Sequence, residues 1–369
     1  MSESDLFLRR GIAAAHFILS AAAFGVTAFL MVVWFGSDVF LASRFLALGY
    51  IIFVAVITMA LIGFLYIVLP PFVNAVLENF FYAVVYLSLA IGSLLMICGF
   101  FKSSQVILFL SLSGFAVITI YRLFYIREAR TQTLFVRSSL FGLLIAAMFG
   151  INSGEDGGVF AYLHILWGIA GWTLLAIIGG AREFLPSLYG AKPYPHICCK
   201  IALPMIYFAL LAAFPLAVYE IFLPTKICVA LGALAFSLLT MFLTLSRGKT
   251  AGYPSVWYPF ISAFFLLASL PFIFVESEVF LRIFIVLFGA FALSFINTFF
   301  YGALLKIHPL PGGAVRIQTT CFALGALLLA AAPLYPQTAR LGGALLTVSY
   351  LLLLKDTLLF RLRDLRRSA

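Results

Sequence analysis

His164 stands near the start of a long apolar run, YLHILWGIAGWTLLAIIGGAREFLP, and is followed by Trp167 and Trp172. An imidazole in that place is either a ligand or a proton-titratable group. It is equally a histidine hydrogen-bonded near a membrane interface and flanked by belt tryptophans. At the far end of the same run, Arg182 and Glu183 lie within snorkelling range of a membrane surface. Polar residues at such depth are costly and often functional. Asn297 lies in the middle of another apolar run, where its amide needs a partner on a neighbouring helix. His196, Cys198 and Cys199 form a tight cluster, HICCK, in a polar connection. Thiolate and imidazole suit Cu(I) or zinc, although adjacent cysteines do not give the C-x2-4-C spacing of a closed structural site. His308, between Ile307 and Pro309, is a candidate to join that cluster across one face of the bundle. No Walker motif, dinucleotide fingerprint, G-x-S-x-G or H-E-x-x-H is present. Glu155 and Asp156 fall in a Gly-rich connection, NSGEDGG, the usual place for solvated charge.

Composition says what must position these groups. The chain has 369 residues, 64% hydrophobic and 10% charged, whereas soluble domains are nearer 25% charged. Apolar runs long enough to span a bilayer recur from end to end, so one transmembrane domain, 1–369, is expected rather than two soluble ones. Twelve spans are predicted, at approximately 11–36, 43–69, 79–101, 104–125, 134–151, 159–184, 200–222, 226–245, 255–275, 279–303, 315–333 and 338–357. The first follows Arg9 and Arg10, as a signal peptide would, but it is long and lacks a small-residue cleavage site; a retained helix is expected. The connections are short, so sequence neighbours pack as antiparallel helices.

With the N-terminus inside, the outer segments hold only Arg44, Lys102, Lys226, Arg282 and Arg340 of the 23 basic residues. The other eighteen fall inside, which predicts cytoplasmic termini. The net charge of +10 is thus read as topology signal and anionic-lipid contact. Nucleic acid is excluded as a partner, because no basic tract is interleaved with aromatics in a soluble segment. Five cysteines, four of them in or beside apolar runs, make no disulfide framework.

Three apolar runs close in one pattern, glycine followed seven residues later by proline: Gly63 to Pro70, Gly179 to Pro186 and Gly302 to Pro309. The glycine lets a neighbouring helix approach, and the proline helps end the span. The prolines are 116 and 123 residues apart, on the second, sixth and tenth spans. That interval implies three four-helix units, approximately 11–125, 134–245 and 255–357, about a pseudo-threefold axis along the membrane normal. A transporter of two six-helix halves would repeat differently.

A twelve-helix, all-α polytopic chain in three such arcs resembles subunit I of the haem-copper oxidase superfamily, and in particular its short bacterial relatives such as the NnrS family. The endings FLPSLYGAKPYP and YGALLKIHPLP carry the likeness in sequence. The resemblance implies a bacterial inner-membrane protein whose second, sixth and tenth helices present histidines near the outer face. Of those positions only His164 matches, 22 residues before Pro186; the others hold Leu48 and Tyr50, and Leu287 and Gly289. The seventh span has no histidine for copper. A full redox centre needs about six imidazoles, and the chain has four histidines. The expectation is therefore a degenerate subunit I without oxidase activity, an accessory protein of respiratory, nitric-oxide or metal metabolism. It carries either a haem on His164 or no cofactor at all, and works with respiratory or metal-handling partner proteins. The alternative is a permease for a small solute or metal.

Overall fold

The computed structural model describes residues 3–65, 79–124, 131–152, 158–189, 192–246, 257–307 and 312–368. Among the described residues every regular element is helical. Helix α1 is Glu3–Phe35, ending in a 3-10 turn at Gly36–Phe40. Helix α2 is α-helical over Ala42–Tyr50, π-helical over Ile51–Thr58 and α-helical again to 65. Then come α3, Asn79–Ile97; α4, Phe101–Phe124; and α5, Thr131–Asn152. Helix α6 repeats the composite plan, with α-helix at Val159–Leu166, π-helix at Trp167–Leu174 and α-helix at Leu175–Tyr189. Helices α7, His196–Val218, and α8, Leu223–Leu245, follow. Helix α9, Trp257–Ser269, ends in a 3-10 turn at Leu270–Phe274. The chain finishes with α10, Glu278–Ile307; α11, Gly312–Ala331; and α12, Thr338–Ser368.

Eleven of these helices, among the described residues, are long and apolar enough to cross a membrane, and the apolar part of α3, Ala83–Ile97, is shorter. Their outward side chains are as apolar as their inward ones: Leu110, Leu211, Phe214 and Phe242 are all more than half exposed. A water-soluble bundle would present charge there; a lipid-facing surface presents hydrocarbon. The architecture is that of a multi-pass membrane protein.

The chain forms two compact units. The first joins residues 1–104 to 303–369. In it α12 packs against both α1 and α11. Gly343 admits Val32, since a methyl group there would come within 2.9 Å of its Cγ1. Gly325 and Gly342 bring the backbones of α11 and α12 together, an added Cβ on either lying about 3 Å from the other's carbonyl oxygen. With lipid outside, such close backbone approach is what holds helices together. Gln318 donates from Nε2 to Ser349 Oγ (2.9 Å), and that hydroxyl contacts the Gln318 carbonyl at 3.2 Å.

The second unit is residues 105–302. Here α5 packs along α6, and α8 lies between α7 and α9. The α7–α8 turn puts Glu220 at φ 58°, a left-handed conformation that favours glycine. Ser262 donates to the Phe291 carbonyl (2.9 Å), and the rings of Tyr258 and Tyr301 stack at 5.8 Å, which ties α9 to α10.

Two expectations are corrected. Pro186 does not end its helix, because α6 runs on to Tyr189. Proline forfeits only its own bond, to the carbonyl of Arg182, and the Tyr189 hydroxyl pins the last turn by donating to the Thr298 carbonyl at 2.6 Å. The HICC cluster is not in a connection; it opens α7, directly after Pro195 in extended conformation (φ −63°, ψ 147°). Proline pre-sets that start. Pro70, Pro309 and His308 lie outside the described residues, as do the side chains of Glu183, His196, Cys198 and Cys199. Gly63 is buried in α2, and Gly302 lies on α10.

Candidate functional site

His164 sits three residues before Trp167, where the π-turn of α6 begins. Its Nδ1–H donates to the Ala146 carbonyl of α5 at 2.8 Å, which in the neutral ring leaves the lone pair on Nε2. Gly150 makes the space: a methyl group there would come within 2.7 Å of Nδ1 and 2.8 Å of Cε1. Deeper along the same seam, Trp167 meets Phe141 edge-on at 6.5 Å. Still deeper the seam closes, because an added Cβ on Gly171 would lie 3.2 Å from the Gly142 Cα. His164, Trp167 and Gly171 thus share the face that α6 turns to α5. Beside them Tyr162 donates to Thr225 Oγ1 (2.7 Å), which itself donates to the Phe222 carbonyl at 2.7 Å, and the Tyr162 and Phe222 rings lie 4.5 Å apart.

The direction of His164 follows from the π-turn. A residue advances an α-helix by about 100°, and a π-turn absorbs an extra residue without that advance. The half of α6 that carries His164 is therefore rotated by about 100° from where an unbroken α-helix would put it.

The α5 side of His164, where Nδ1 and Cε1 lie, has no room for a haem. The imidazole fills a helix–helix seam that narrows beside it at Gly150 and is shut by backbone contact at Gly142 and Gly171. No plate-like macrocycle lies in such a seam. Leu48 on α2 and Leu287 on α10 are packed aliphatic side chains, 2% and 4% exposed. Among the described residues no group of three or more His, Cys, Asp or Glu side chains could hold a metal ion.

The polar groups left over are elsewhere in the second unit. Asn297, in α10, is 0% exposed, and among the described residues neither its Nδ2 nor its Oδ1 has a partner. Its neighbours satisfy themselves locally: Ser294 donates to the Phe291 carbonyl and Thr298 to the Ser294 carbonyl, each at 2.9 Å. Arg182, in α6, keeps a buried Nη1 without a partner among the described residues. Pro186, four residues on, removes the backbone donor that the Arg182 carbonyl would otherwise receive. The last turns of α6 face α10: Phe184 lies edge-on to Phe299 at 6.4 Å, and Tyr189 binds the Thr298 carbonyl. So Arg182 stands on a helix that packs against the turn following Asn297.

Sequence reasoning singled out His164, Arg182 and Asn297, but missed Gly142, Gly150 and Thr173. Their only signal is small size or a hydroxyl within an apolar run, and many residues here share it. No protein-family model and no curated protein matches this chain.

Proposed function

We propose that this is a bacterial inner-membrane permease for a small polar solute, built on a twelve-helix plan that resembles haem-copper oxidase subunit I and lacks oxidase chemistry. The observation that carries the reading is Asn297. A fully buried amide with both ends unpartnered costs about 1–3 kcal/mol for each stranded group. In a helix whose other buried hydroxyls, Ser294 and Thr298, bond their own backbone, such a group serves a ligand or an ordered water that completes its bonds. The unpartnered Arg182 Nη1 on the facing helix adds a cationic donor to the same half of the unit.

The plan itself has support from the π-turns. That of α2 begins at Ile51, 19 residues before Pro70, and that of α6 begins at Trp167, 19 residues before Pro186. Two rare turns in one register are what copies of a single ancestral helix would carry. The equivalent stretch before Pro309 begins at Ala290 and reaches Asn297, and there α10 is α-helical throughout. The third copy thus has the orphan amide where the others have a π-turn.

The test is a visible spectrum with metal analysis on full-length protein made with ample haem, followed by a solute screen that reads thermal stability. The expected result is a colourless protein that one class of small polar solute stabilises, and Asn297→Leu abolishes that response. A Soret band lost in His164→Ala but kept in Asn297→Leu refutes the permease reading in favour of a haem-binding accessory protein.

A further inference from the structure

Threonines in the α-helical stretches bond the carbonyl three or four residues back, as Thr225 and Thr338 do at three, or find no partner among the described residues, as at Thr119; two threonines reach further. Thr240, Thr244, Thr298, Thr319, Thr347 and Thr357 each donate to the carbonyl four residues back, at 2.7–2.9 Å. Thr58 instead reaches the Phe53 carbonyl (2.8 Å), and Thr173 reaches the Gly168 carbonyl (3.0 Å), each five residues back. Both lie inside the π-turns, in Ile51–Thr58 and Trp167–Leu174. Both side chains are buried, at 5% and 2% exposure, so neither hydroxyl has water as an alternative. A threonine hydroxyl in an α-helix bonds the carbonyl three or four residues back. Binding the fifth is open to it only while the wide turn persists.

We propose that Thr58 and Thr173 are positioning residues that latch the two π-turns and so set the rotational phase of the helix halves before them. In α6 the latch aims His164 at the Ala146 carbonyl. Without it the extra residue is taken up as ordinary α-helix, and the 159–166 half turns by about 100°, one residue position. The inference stands apart from any reading of what the protein carries, because it concerns only backbone phase.

The experiment uses the full chain with its cysteines replaced by serine, in lipid vesicles, with single nitroxide labels at Phe160, Leu163, Ile165 and Leu166. Collision with oxygen reports lipid exposure. The unlatched comparison is Thr173→Val, and the conservative one is Thr173→Ser, which keeps the hydroxyl. In the parent, labels at 160 and 165 are accessible and labels at 163 and 166 are protected, following the observed exposure. The expected result is a one-position shift of that pattern in Thr173→Val and no shift in Thr173→Ser. A parent-like pattern in Thr173→Val, or an equal shift in both variants, overturns the proposal. Deleting Ile169 provides a second measurement should Thr173→Val fail to insert. Removing the extra residue makes α6 continuous while preserving the phase, so the deletion keeps the parental pattern. A one-position shift in the deletion variant overturns the proposal as well.

Discussion

Replacing Gly142 with alanine sets a methyl group 2.8 Å from the Gly171 Cα, with the Gly171 carbonyl group closer still. The obstruction is backbone on both sides, so no side chain can swing away; α5 and α6 must separate. Overpacking of this kind costs about 1–3 kcal/mol, while exchanging a helical glycine for alanine returns about 0.8–1 kcal/mol of intrinsic propensity. The net expectation is a loss of up to roughly 2 kcal/mol. Gly114, on α4, is the control, because a Cβ added there meets nothing within 4 Å. Gly114→Ala therefore gains the propensity without the clash and is stabilised by up to about 1 kcal/mol. Unfolding of the purified protein by SDS in mixed micelles, followed by tryptophan fluorescence, reads both. Opposite signs are expected. If Gly142→Ala is as stable as Gly114→Ala, the α5–α6 seam is looser than described, and the exclusion of a haem from it fails too.

Glu220→Gly is expected to stabilise by about 0.5–1 kcal/mol, because φ 58° suits glycine better than a residue with a Cβ; the same SDS titration measures it. Ser349→Ala strands the buried Gln318 amide and is expected to cost about 1–3 kcal/mol, with Ser349→Thr recovering part of the loss. For topology, reporter fusions after Ser246 and after Ala369 are expected to report the cytoplasm, and one within residues 152–158 the opposite side; an opposite result for Ala369 refutes the charge-derived orientation.

The helices were legible because span length is a matter of hydrocarbon, and hydrocarbon is counted directly in the sequence. The span predicted at 159–184 is Val159–Arg182 in the structure, and that at 279–303 is Glu278–Tyr301. What composition cannot carry is rotational phase. His164 was visible as the residue of interest, yet its direction depends on an extra residue within Trp167–Leu174, and no residue type there marks a π-turn. The HICC cluster was misplaced for a different reason. Pro193 and Pro195 argue for a connection, and Pro195 in fact starts the next helix. The pairing of α1 with α12 was out of reach as well, since short loops specify only sequential neighbours.

That pairing has a consequence for biosynthesis. The first unit is discontinuous, made of residues 1–104 and 303–369, whereas residues 105–302 are contiguous. A ribosome delivers α1 long before α12, so the groove on α1 that receives Tyr350 and Gly343 stays unfilled until α12 is inserted. The contiguous unit has all its helices in the bilayer well before then. Completion of the first unit therefore waits for α12, long after its partner α1 has been made.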